Sequence, residues 1–299
     1  MTLTLSETDI AKVLTYERLI PAMEKALAEF SAGRVIQPVR NLLAVEEGKR
    51  FFGIMPAVTA DAMGAKLVCF YPKNAGTGMP THLAMIMLFE PETGQPLAFM
   101  DGRLITEMRT AAVSAALTKH LAPEKRRVLA LLGSGVQAEA HLQALRCVCR
   151  FDEVRVWSRT RHHAERFAGR LGAQAMALEP AVRDADVIVT ATSATEPFLQ
   201  GAWLKPGAHV NAVGSARPTW RELDDDAMRN TLIVDSREGA LKEAGDVIMS
   251  KAAIFAEAGE VFAGSRVPPD SQTTVFKSVG IAVEDIAAAR LVYDAIAAD

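Results

Sequence analysis

Arg127-Val128-Leu129-Ala130-Leu131-Leu132-Gly133-Ser134-Gly135-Val136-Gln137-Ala138, running on into Glu139-Ala140-His141-Leu142, is the stretch whose reading decides the fold. The apolar run ending at Leu132 has the continuity of a buried parallel strand, and the residues after Val136 have helical spacing. The turn between them matches G-x-G-x-x-G/A in the one context that gives that pattern weight, after a strand and opening a helix. Gly133 permits the tight turn, Gly135 lets the backbone approach a pyrophosphate, and Ala138 allows the helix to pack closely on the strand. The helix N-terminus, with Val136 and Gln137 in its first turn, offers unpaired N–H groups and partial positive charge to an anion.

The following strand, EVRVW, ends in Ser158-Arg159-Thr160. A carboxylate for a ribose 2′-hydroxyl is expected there in an NAD enzyme. A guanidinium between two hydroxyls suits a 2′-phosphate instead, so NADPH is the expected cofactor and NADH a weaker alternative. Thr160 also stands where the next helix, predicted to run to about Gly172, needs a cap.

Further outward, DVIVTATS, AHVNAVG and NTLIVDS are apolar runs separated by helical segments, which predicts a doubly wound parallel sheet. Toward the N-terminus the texture changes. A helix over 15–31 capped by Gly33 is followed by the β-rich runs VIQPVR, NLLAV, RFFGIM, AKLVCFY, THLAMIMLFE and QPLAFM. EEGK at 46–49, PETG at 91–94 and the loop 72–80 separate them, as in an antiparallel or mixed sheet. ITEMRTAAVSAALTKHLA, with Thr106 in capping position, reads as a connecting helix. TTVFKSVG and the helical run after it give a last strand and helix whose domain periodicity does not assign.

The chain of 299 residues is 49% hydrophobic and 23% charged, long enough for two domains. Its formal charge of -3 leaves no basic excess for a phosphate backbone, so nucleic acid is not an expected partner. Cys69, Cys147 and Cys149 make neither a disulfide framework nor a zinc spacing, which fits a reducing, cytoplasmic setting. Neither a secretory leader nor a span of apolar residues long enough for a bilayer is read. His162 and His163 are adjacent on a helix and cannot converge with Glu165, so no metal is expected.

MDGRLITEMRTAAVSA at 100–115, the GSGVQA turn, VWSRT, ATEPFLQGAWLKPGAHVNAVGSARPTWRELDD at 191–225, LKEAGDV and TTVFKSVGIAVED, in that order, resemble the ornithine cyclodeaminase/mu-crystallin family over nearly the whole chain. The resemblance is closest to the ketimine reductase branch. It implies an α/β protein: a Rossmann-type domain at 113–274, and an α+β substrate-binding and dimerisation domain of 1–112 with 275–299, completed by the C-terminal helix of a homodimer. It implies a small imino or amino acid as substrate, met by the nicotinamide in a cleft between domains.

Lys66 is a lysine in an otherwise apolar strand, so it must reach a polar cleft or a partner. By resemblance it is the catalytic lysine, activating the imine and able to donate a proton, with desolvation and nearby arginines lowering its pKa. The resemblance assigns Arg40 and Arg109 to the substrate carboxylate, and Arg109 and Thr110 also to cofactor phosphates. It places Thr81 and His82 on the nicotinamide side, where His82 could relay a proton or be a structural histidine. Thr190, Thr192, Val213 and Ser278 match positions that line the cofactor. Ornithine cyclodeaminases carry an aspartate where this chain has Ala216, and a second carboxylate of that branch is missing from 50–56. The expectation is therefore an NADPH-dependent reductase of cyclic ketimine carboxylates, giving L-proline or L-pipecolate. A cyclodeaminase, an alanine dehydrogenase and a non-catalytic NADPH-dependent ligand binder are the alternatives.

Overall fold

The computed structural model describes residues 2–47, 49–214 and 216–297. Gly48 of the expected 46–49 link, Ser215, and residues 298–299 of the C-terminal stretch lie outside the described residues. The chain divides into two compact units, Met1–Arg109 with Gly280–Asp299, and Thr110–Val279.

The first unit opens with a strand and helix that sequence periodicity does not mark, β1 (Leu3–Leu5) and α1 (Glu7–Val13), the helix closed by a capping box between Ser6 and Asp9. α2 (Tyr16–Ser31) follows and ends before Gly33, whose φ of 73° supplies the left-handed turn. Then come β2 (Asn41–Glu46), β3 (Arg50–Val58), β4 (Met63–Phe70), β5 (His82–Phe89) and β6 (Pro96–Asp101). The run VIQPVR is not a strand. Pro38 has no N–H for a ladder, only Ile36 bridges to Val58, and Arg40 therefore lies in a loop just before β2. Among the described residues the sheet order is β1-β6-β5-β4-β3-β2, antiparallel apart from the parallel β1–β6 pair. α3 (Arg103–Leu121) then carries the chain out of this unit. It begins three residues before the expected cap: Asp101 Oδ1 accepts from the Arg103 N–H at 2.8 Å, and Thr106 is inside the helix, donating to the Gly102 carbonyl.

The second unit alternates strands and helices: β7 (Val128–Leu132), α4 (Val136–Val148), β8 (Glu153–Trp157), α5 (Arg161–Leu171), β9 (Gln174–Ala175), α6 (Leu178–Val182), β10 (Val187–Thr190) and β11 (His209–Ala212). α7 (Asp225–Met228), β12 (Thr231–Val234), α8 (Arg237–Glu243), α9 (Gly245–Ser250), β13 (Ile254–Glu257), α10 (Ala258–Phe262) and β14 (Thr274–Lys277) complete it. Every pairing is parallel, in the order β13-β12-β14-β11-β10-β7-β8-β9. This is the doubly wound α/β sheet expected, with fully buried strands such as VIVT of β10 and TVFK of β14. Strand order reverses between β7 and β10, the point at which such sheets bind ligands beyond their carboxyl ends.

The ambiguous tail is divided. β14 inserts between β12 and β11, so the Rossmann-type unit reaches Val279, beyond the expected limit of 274. The return to the first unit starts at Gly280, not at 275, and α11 (Ala282–Ala297) packs on α2 and across β3, β4 and β5. At the other crossing the boundary falls after Arg109 within α3, where 112 was expected.

Candidate active site

In the first unit, register puts Lys66 of β4 opposite Met55 of β3 and Ile86 of β5, on the face that α11 covers. Alternation along β4 makes this unavoidable: Gly64 and Lys66 share the inward face, and Lys66 is 1% exposed. The partner that such a buried ammonium requires is Asp285 in the first turn of α11, its Oδ2 2.7 Å from Nζ. Thr106 Oγ1 lies at 3.5 Å. Asp285 Oδ1 accepts from Arg109 Nε at 3.0 Å, and Arg109 also pairs with Glu284 through Nη1. Arg40 Nη2 donates to the Gly280 carbonyl at 3.0 Å. Gly280 is at φ 73°, and a Cβ there would lie 2.5 Å from Arg109 Nη1. The turn into α11 thus binds both arginines to one place.

Burial, then the Arg109 and Arg40 guanidinium groups, push the Lys66 ammonium down to about 8, while Asp285 opposes them. Lys66, Arg40 and Arg109 face two carboxylates, Glu284 and Asp285, so these five groups leave one positive charge. Such a surplus, with Lys66, Arg109 and both carboxylates buried and Arg40 half-buried, matches a small monoanion.

Thr81 and His82 are not part of this cluster. His82 opposes Phe70 at the open end of β5, four residues from Ile86 and so roughly 13 Å along the strand from the Lys66 register. Its ring is exposed and packs on Phe70 at 4.6 Å between centroids, with Thr81 Oγ1 3.3 Å from Nδ1.

In the second unit the glycine turn has the geometry that its sequence requires. Gly133 is at φ 129°, and a Cβ would lie 2.5 Å from the Ala191 carbonyl at the end of β10. Gly135 is the N-cap of α4 with no side-chain cap, and a Cβ on it would meet nothing within 4 Å. This is open room in front of N–H groups, and Ala138, 1% exposed, packs inward behind it. Thr160 occupies the N-cap of α5 but makes no capping hydrogen bond, so its hydroxyl, like Ser158 and the exposed Arg159, is not spent on the helix. These residues fit a dinucleotide.

The expected cofactor-lining hydroxyls are engaged with buried acids that sequence reasoning missed. Glu222 accepts from Thr190 Oγ1 at 2.7 Å, from Thr192 N and Oγ1 at 2.7 and 2.6 Å, and from Gly214 N at 3.0 Å. Asp235 accepts from Ser278 Oγ at 3.0 Å, and the Val213 N–H donates to the Thr190 carbonyl. Burial pushes the Glu222 carboxyl up against the opposing charge of Lys277, itself buried and 2.9 Å from Asp246. Thr190, Thr192 and Ser278 therefore brace the carboxyl ends of the strands. Asp285 lay within the motif VED quoted above, but two acids in a helix's first turn look like ordinary dipole complements until burial is known.

With this geometry in hand, the sequence profile of the ornithine cyclodeaminase/mu-crystallin family matches residues 1–299. The chain belongs to that family. Among its members, ketimine reductase mu-crystallin of Mus musculus is 52% identical over 285 residues, covering 92% of this chain and 91% of the relative. Thermococcus litoralis Δ1-pyrroline-2-carboxylate reductase, solved in complex with NADH and L-proline, superposes with a TM-score of 0.92 at 35% identity, over 98% of this chain and 97% of that one. An archaeal alanine dehydrogenase dimer with bound NAD gives 0.93 at 31% identity, over 99% and 96%. Among the described residues no helix is long and apolar enough to cross a membrane.

Proposed function

We propose that this member of the ornithine cyclodeaminase/mu-crystallin family is an NAD(P)H-dependent reductase of cyclic ketimine carboxylates. It converts Δ1-pyrroline-2-carboxylate and Δ1-piperideine-2-carboxylate to L-proline and L-pipecolate. The observation that carries the reading is the buried Lys66, held at Asp285 among arginines with one positive charge to spare. Arg40 and Arg109 hold the substrate carboxylate, while the Lys66 ammonium polarises the C=N bond and supplies the proton its nitrogen takes up.

Gly133, Gly135, Val136 and Gln137 hold the cofactor pyrophosphate at the head of α4, with Thr110 at the phosphates. Ser158, Arg159 and Thr160 take the 2′-phosphate of NADPH, and Thr81, His82, Val213 and the braced strand ends border the nicotinamide. When bound, the dinucleotide supplies the hydride. Ala216, where a cyclodeaminase would carry its aspartate, is apolar and packs against the core of the second unit. A preformed imine needs no such acid, so reduction is favoured over deamination with ring closure.

The finer reading of assembly is a homodimer through the first sheet, whose face opposite α11 presents Leu43, Leu83, Met85 and Phe99, each 38–49% exposed. A dimer among the structural relatives supports it. The decisive assay is loss of reduced-nicotinamide absorbance with each cyclic imine, NADPH against NADH. Rapid oxidation of NADPH is expected. No oxidation with either imine, beside activity on pyruvate plus ammonia or on ornithine, would replace the reading with one of the other family chemistries.

A further inference from the structure

Lys66 is met by charge from three elements. Across the sheet its neighbours Met55 and Ile86 are apolar and buried, 2% and 0% exposed, and give an ammonium nothing. α3 brings Arg109 and the Thr106 hydroxyl, the loop before β2 brings Arg40, and the first turn of α11 brings Asp285. Glu284, beside it, is directed to Arg109. Burial disfavours the charged amine, and both guanidinium groups disfavour it further. Asp285 is the carboxylate paired with Lys66 Nζ, and its charge is what favours the ammonium against burial and the two arginines. It is fully buried, and its two oxygens divide between Lys66 Nζ and Arg109 Nε, so it also fixes where Nζ points.

We propose that Asp285 is a positioning residue that keeps Lys66 charged and aimed at the substrate nitrogen, by bridging Nζ to Arg109 from the first turn of α11. The inference rests on the reading of Lys66 given above. In the reduction, a hydride from reduced nicotinamide dinucleotide forms the new C–H bond at C2, and the C=N π pair takes a proton from the Lys66 ammonium to form N–H. Lys66 is left as a neutral amine and regains its proton from water before the next turnover. The contribution of Asp285 is to make the ammonium the prevailing form near neutral pH despite burial and two neighbouring arginines.

The test is Asp285→Asn in the full chain, with lysine labelled by carbon-13 at Cε and Lys66→Met used to assign the resonance. In the parent the Lys66 signal is expected to titrate below the usual lysine range, near 8. In the asparagine variant the midpoint falls by about 1 to 3 pH units, the usual effect of losing one adjacent opposite charge. The alkaline limb of kcat/KM for the cyclic imine falls with it, while KM for NADPH stays as in the parent. Asp285→Glu, which returns the charge, restores most of the shift. A midpoint that stays in place in the asparagine variant overturns the proposal whatever the activity. A midpoint that moves in a protein that reduces no imine upholds the control of Lys66 by Asp285 and removes the reductase reading instead. If the asparagine variant does not fold, Asp285→Ser, which also removes the charge, is read in its place by the same criterion: its midpoint must fall, and one that stays at the parent value overturns the proposal.

Discussion

Arg159 and Gly280 carry the sharpest consequences for single side chains. A charge-assisted hydrogen bond contributes about 1.5–3 kcal/mol. Arg159→Ala is therefore expected to raise KM for NADPH about 10- to 100-fold and leave KM for NADH nearly unchanged, as steady-state kinetics with the two cofactors would show. Gly280→Ala places a Cβ in the left-handed region and against the Arg109 fork. It should cost about 1–2 kcal/mol in unfolding free energy and lower kcat/KM for the imine without changing NADPH affinity, as denaturant titration and kinetics would register. At this scale the sequence was legible wherever a residue type was out of place. A lysine in an apolar strand pointed to Lys66, but the same argument applies to Lys277, which satisfies it with Asp246 and the Gly214 carbonyl. The acids were harder to find. Glu222, Asp235 and Asp285 occur in stretches where a solvated carboxylate would look the same, and only tertiary packing buries them.

At the level of elements, strands that are apolar without interruption were read directly, and so was the glycine turn, because turn, strand and helix agree there. Periodicity could not mark β1 or α1, which are short, nor show that Pro38 removes VIQPVR from the ladder. The six-stranded sheet of the first unit yields a further prediction. Its inner face is covered by α11, which α2 backs, while register places Leu83, Met85 and Leu43 together on the outer one. Met85→Glu, set into that face, should convert the proposed dimer to a monomer in sedimentation velocity at micromolar concentration. A chain that sediments as a monomer before substitution would remove the assembly reading.

For the molecule as a whole, the clearest expectation concerns acid. His141 and His209 are fully buried, hydrogen-bonded to Ser114 and to Thr274 and Asn211, and burial pushes each ring down to about 4. Between pH 4 and 6.5 the unfolded chain binds protons that the native one does not, so stability rises with pH across that window and is lost on descending it. Each ring accounts for about 3 kcal/mol. Trp157, Trp203 and Trp220 all belong to the second unit, so urea unfolding followed by tryptophan fluorescence reads that unit alone. Its midpoint should fall steeply from pH 6.5 to 4.5, and less steeply in His141→Gln.

The position of β14 between β12 and β11, with α11 returning to the first unit, has a consequence for how the protein is made. A ribosome releases the N-terminal unit first, yet that unit lacks the helix that closes its sheet, and with it Asp285, until α11 emerges. The second unit likewise waits for a central strand, not an edge one. Neither unit is complete before the stretch from β14 through α11 has been made, so both stay partly built until then and their completion is one event shared by the two.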